Sequence, residues 1–98
     1  MRERLPYVYL LASCRNGTLY VGVTSDLPVR IRQHRNHVVE GFTERHHVHD
    51  LVWFELHGTM DSAITLEKTI KAWKRAWKIE LIEKSNPYWR DLYAEICG

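Results

Sequence analysis

Apolar and polar positions alternate in two short runs near the start of the chain. Tyr7 to Ser13 and Thr18 to Thr24 are rich in β-branched and aromatic residues, which predicts two strands. Asn16-Gly17 between them signals a hairpin. Asp26 is a good N-cap with Pro28 in the first turn, so a helix is expected from about Leu27 to Val38. Residues 40–50 are polar and irregular and carry His46, His47 and His49; Leu51 to His57 predicts a third strand. Asp61 or Ser62 then caps a long helix running into the Trp77 region, where a break is allowed for. Asn86-Pro87 marks a turn, and Tyr88 to Ile96 a last short helix. The order β-β-α-β-α-α predicts an α+β fold, a small three-stranded antiparallel sheet flanked by helices.

With Asn16-Gly17 as the central turn residues, Tyr9 pairs with Thr24 and Tyr20 with Ser13. Side chains alternate along a strand, and cross-strand partners share a face. Tyr7, Tyr9 and Leu11 therefore share a face with Tyr20, Gly22 and Thr24, while Val8, Leu10, Leu19, Val21 and Val23 make the other face aliphatic. Gly22 removes a side chain beside Tyr20, which is expected to leave room for a ligand. Arg30 and His34 are four apart, on one helix face and about 6 Å apart along its axis.

In the second helix, at about 100° per residue, Ala63, Leu66, Ile70, Trp73 and Trp77 form an apolar stripe. Glu67 falls on its edge, on the same side as Lys68, Lys71, Lys74 and Arg75. A carboxylate there suits a divalent cation, and the basic ridge suits a nucleic-acid backbone. An ordinary Glu67–Lys71 helix pair is the simpler reading of the same spacing.

The balance of 14 basic and 12 acidic residues leaves a net charge of +2 in 98 residues. Bulk charge therefore does not dictate a nucleic-acid partner, and placement has to. Cys14 and Cys97 have neither metal nor disulfide spacing, which fits a reducing compartment. Met1-Arg2-Glu3-Arg4 precedes no apolar signal core. A cytoplasmic protein without membrane contact is expected, with residues 1–98 as one domain. The three histidines between residues 46 and 49 read as a solvated loop, and the four tryptophans read mainly as core.

Tyr7-Val8-Tyr9, then Tyr20-Val21-Gly22, Thr24, Leu27, Arg30, His34, Glu67 and Asn86 in that order resemble the GIY-YIG nuclease domain. The resemblance runs from about Tyr7 to about Tyr93. Trp73-Lys74-Arg75-Ala76-Trp77-Lys78 and Asn86-Pro87-Tyr88-Trp89 are similar to the ending of its short stand-alone bacterial branch. Tyr7 replaces the first glycine of the name motif, Val8 and Val21 replace its isoleucines, and Val23 stands where some branches carry lysine.

The resemblance implies a metal-dependent endonuclease acting on DNA in repair, recombination or processing, with RNA as a second possible substrate. Glu67 would hold Mg²⁺ or Mn²⁺. One of Tyr9 and Tyr20 would act as general base, Arg30 would hold the scissile phosphate, His34 would orient the water or a tyrosine or assist proton transfer, and Asn86 would hold position through hydrogen bonds near the phosphate. Arg32, Arg35, Lys68, Lys71, Lys74 and Arg75 are the candidate backbone contacts. With no appended binding domain in these residues, a homodimer or a partner protein would supply further contacts. The alternative is a binding module of the same fold that cuts weakly or not at all.

Overall fold

The computed structural model describes residues 4–36 and 47–97. The elements are β1 (Tyr7–Ala12), β2 (Leu19–Thr24), α1 (Leu27–Arg35), β3 (Asp50–Leu56), α2 (Met60–Ala72), α3 (Arg75–Ser85) and α4 (Tyr93–Cys97). The three strands form one antiparallel sheet in the order β2-β1-β3. This is the expected α+β architecture. The inner strand β1 is covered on both faces, and residues 8–12 are completely buried.

The hairpin keeps the expected parity but shifts its register by two. Tyr9 pairs with Gly22 and Leu11 with Tyr20, instead of Tyr9 with Thr24 and Tyr20 with Ser13. The turn is centred on Arg15-Asn16, not on Asn16-Gly17. Gly17 N–H donates to the Cys14 carbonyl (2.9 Å), and Asn16 takes the left-handed conformation at φ 60°. The Ser13 hydroxyl accepts the Thr18 N–H at 3.0 Å and closes the loop. Because both loops contain an even number of residues, every side chain stays on its expected face.

One face packs Val8, Leu10, Ala12 and Val21 against Ala63 and Ile70 of α2 and Ile82 of α3. The other packs Tyr9 and Leu11 against Leu27 and Ile31 of α1, with Val48 and Leu51. A bulge in β3 separates the pairs Leu10–Trp53 and Leu11–Leu51, so Val52 has no partner in the ladder. Asn86 Nδ2 donates to the Val52 carbonyl (3.1 Å) and to the Arg90 carbonyl (2.9 Å), while its Oδ1 accepts the Arg90 N–H (3.0 Å).

Four helix boundaries differ from expectation. Helix α1 ends at Arg35, and Asp26 occupies the N-cap position without a side-chain cap bond; its own N–H donates to Thr24 Oγ1. Thr59, not Asp61 or Ser62, caps α2 by accepting the Ser62 N–H. The long helix stops earlier than Trp77. Trp73 and Lys74 take extended ψ angles of 152° and 149°, so α3 starts a new direction at Arg75. That corner brings Ile82 into the core beside Ile70 and takes Trp77 out of the stripe, leaving it half exposed. The final helix is short because residues 86–90 form a turn around the Asn86 side chain.

Candidate active site

Strand β1, strand β2 and helix α1 bring Tyr9, Tyr20 and His34 into one cluster. The Tyr9 hydroxyl lies 3.0 Å from His34 Nε2. The Tyr20 ring is 5.3 Å from the His34 ring and 6.3 Å from the Tyr9 ring, centre to centre. The turn of α1 that places His34 inward places Arg30 on the same face, at the rim. Arg30 borders an open cleft of about 450 Å³ with Arg4, Thr24, Asp26, Gln33 and Met60.

Burial sets the protonation states here. Tyr9 has no exposed surface, and burial pushes its phenol up to about 12; Arg30 pulls in the opposite direction, while Tyr20 and Glu67 add to the rise. The same physics lowers His34 to about 4, first through burial and then through repulsion from Arg30. At neutral pH the pair is an un-ionised phenol against an un-ionised imidazole. Ionising Tyr9 at pH 7 costs on the order of 7 kcal/mol, five pKa units.

Glu67 projects from α2 at the border of the opposite core layer and is nearly buried. Its charge is felt by the Tyr9 phenol, and its carboxylate forms an ion pair with Lys71 one turn on. The helix pair read from the spacing is therefore present. Among the described residues no group of three or more His, Cys, Asp or Glu side chains is placed to hold a metal. A single buried carboxylate that already draws a cation fits a hard divalent ion that keeps most of its waters. It does not fit a closed protein cage.

Other expected residues lie elsewhere. Asn86 is buried in the seam between α3 and β3, and its amide is engaged by backbone groups of Val52 and Arg90, hydrogen bonds that hold this segment in position. Arg75 Nη2 donates to the carbonyls of Asn16 and Gly17 at 2.7 and 2.6 Å, tying the hairpin turn to α3. Arg35 is anchored by Asp91 (2.6 Å), by the His49 carbonyl (3.1 Å) and over the Tyr93 ring. Arg75 stays exposed, with its Nη2 engaged by those carbonyls. Arg32, Lys68 and Lys74 are exposed, as is Lys71 beyond its pair with Glu67. Gly22 leaves no vacancy: the Tyr9 phenol occupies the space a Cβ would take. His46 lies outside the described residues; His47 is exposed and His49 is near Asp50 (3.4 Å).

Sequence reasoning missed Arg4 and Gln33 at the cleft. Gln33 Oε1 accepts from Arg30 Nη1 at 3.5 Å, a partnership hinted at by the i, i+3 spacing. Arg4 precedes the first strand and belongs to no pattern.

The family model for the GIY-YIG catalytic domain matches residues 5–80. A UPF0213 protein from Staphylococcus saprophyticus is 32% identical over 78 residues, covering 80% of this chain and 94% of that protein. A UPF0213 protein from Haloquadratum walsbyi is 33% identical over 80 residues, covering 82% and 89%. The solution structure of a UPF0213 protein from Bacillus halodurans aligns with a TM-score of 0.54 at 26% identity, covering 88% of this chain and 90% of the other. Among the described residues no helix is long and apolar enough to cross a membrane.

Proposed function

The chain belongs to the GIY-YIG catalytic-domain family, a nuclease-type family, and on that premise we propose that it is a divalent-metal-dependent endonuclease that hydrolyses DNA phosphodiester bonds as a single domain. The observation that carries the reading is the meeting of Tyr9, Tyr20 and His34, with Arg30 on the same face of α1 as His34.

The two phenols take different roles. Tyr9 is sealed and held at about 12, so it keeps its proton. The hydrogen bond its hydroxyl shares with His34 Nε2 fixes the imidazole ring. Tyr20 retains exposed surface and, in the phenolate form that Arg30 and a bound cation would favour, takes the proton of the attacking water. His34 orients that water or the Tyr20 oxygen. Arg30, at the rim of the cleft, holds a phosphoryl oxygen and stabilises the charge that develops on it. Glu67 would hold Mg²⁺ or Mn²⁺, and the ion's chemistry there is stabilisation of the leaving oxygen. The Lys71 ammonium must move off Glu67 for this, which frees it for a phosphate.

A second reading, a DNA-binding module that cuts weakly, is favoured by one observation, the Glu67–Lys71 pair, which neutralises the carboxylate within the protein itself. The test is cleavage of nicked, flapped, branched and single-stranded DNA with Mg²⁺ or Mn²⁺, by the wild type and by Tyr20→Phe. The nuclease reading expects cleavage by the wild type and a loss of about a hundredfold or more in the variant, the usual reach of general base catalysis.

A further inference from the structure

Among the described residues Trp77 is one of three large hydrophobic residues left exposed, at 50%. Its ring meets Trp73 edge to face, with centroids 6.2 Å apart and planes at 80°. The two indoles form one end of a groove of about 400 Å³, completed by Glu80, Leu81 and Lys84. That volume lies in the range of about 300–1,000 Å³ found for ligand clefts. The groove exists because the chain turns a corner at Trp73-Lys74. A continuous helix would have kept Trp77 on the buried stripe.

The surroundings are cationic. Lys74 holds its ammonium 5.4 Å from the Trp77 ring centre, and Lys78 Nζ reaches the Lys71 carbonyl at 3.5 Å. Lys71, Lys74 and Lys78 thus run from Glu67 to the groove, and Lys84 stands at its far side. Trp73 is six residues beyond Glu67, about 9 Å along the helix axis at about 1.5 Å per residue. Glu80 is the one carboxylate lining the groove. It repels a phosphate but accepts hydrogen bonds from an exocyclic amino group.

We propose that this groove stacks an unpaired DNA base on Trp77, beside the strand held at the Glu67 site, and so directs the enzyme to DNA with a single-stranded segment. A flat π-face, a flanking ammonium row and one carboxylate suit a base with an amino group, adenine or cytosine, better than they suit an apolar peptide, which has no use for the lysines. The inference rests on the nuclease reading for its substrate but not for its groove.

The test is fluorescence anisotropy with labelled blunt duplex and with the same duplex carrying a single-stranded flap, for the wild type, Trp77→Ala and Trp77→Phe. Half-exposed Trp77 is not a core residue, and thermal melting checks that the variants are folded. The expected result is that Trp77→Ala loses flap affinity about tenfold or more, the scale of one base–aromatic stack, lowering the flap-to-duplex ratio, while Trp77→Phe retains most of it. An unchanged ratio in Trp77→Ala overturns the stacking groove, as does equal loss on blunt duplex. Cleavage by Glu67→Ala, run beside these, reports separately. If it cuts like the wild type, the reading of the Glu67 site fails, whatever Trp77 does.

Discussion

Tyr9 and Gly22 are direct cross-strand partners, and the Tyr9 phenol lies over Gly22 where any other residue would place its Cβ. The glycine is what allows the phenol to lie down across β2 toward His34. Gly22→Ala puts a methyl group against Cζ and the hydroxyl of Tyr9. The expected cost is about 1–3 kcal/mol, typical of overpacking a tight core, with a disproportionate loss of cleavage because the hydroxyl is driven off His34. Urea denaturation and cleavage rate measured on the same sample check this. Wild-type values in both would refute the packing.

His34 makes stability fall in acid. Its folded pKa of about 4 is below the unfolded value of 6.5. As pH drops from about 6.5 to about 4, the unfolded chain takes up a proton that the native chain refuses. Stability present near neutrality is therefore lost across that window, up to about 3 kcal/mol from this one group. Denaturation from pH 7 to pH 4, wild type against His34→Gln, isolates the contribution. The variant should show the shallower slope.

Asn86 fills the gap that the β3 bulge opens. Asn86→Ala strips the buried Val52 carbonyl of its donor and also frees both backbone groups of Arg90. An unsatisfied buried group costs about 1–3 kcal/mol, so the variant should lose about 2–4 kcal/mol in denaturant titration. At temperatures where it remains folded, its cleavage rate should stay within a few-fold of the wild type. A large rate loss in a fully stable variant would restore Asn86 to the chemistry.

The two tyrosines should separate by experiment. Tyr20→Phe removes the proton acceptor and should lower kcat about 10²–10⁴-fold with little change in KM. Tyr9→Phe removes the group that fixes the His34 ring. It should also lower kcat, and it should change the ¹⁵N shifts that report which ring nitrogen of His34 is protonated, whereas Tyr20→Phe should leave Nε2 unchanged.

How much of this is legible in the sequence depends on the range of the contacts. Strand parity needs only alternation and an even loop, so the shared face of Tyr9, Tyr20 and Gly22 can be read directly. Register needs the choice between two even turns, and that choice rests on Asn16 adopting positive φ and on the Ser13 hydroxyl capturing Thr18. The i, i+4 spacing puts Arg30 and His34 on one face and pairs Glu67 with Lys71. It says nothing about Arg75, whose partners are the carbonyls of Asn16 and Gly17 far back in the chain. It is equally silent about Arg35, which is claimed by Asp91 and Tyr93. A helical stripe extrapolated through Trp73 places Trp77 in the core because periodicity cannot see a corner that lacks proline or glycine.

The most direct measurement is the cleavage rate of Glu67→Gln against the wild type on flapped DNA across a Mg²⁺ or Mn²⁺ titration, with DNA affinity measured in parallel. Loss of metal-dependent cleavage with DNA affinity retained is the result expected if Glu67 acts together with Tyr20, Arg30 and His34. Wild-type cleavage by Glu67→Gln, with the same metal dependence, would contradict it.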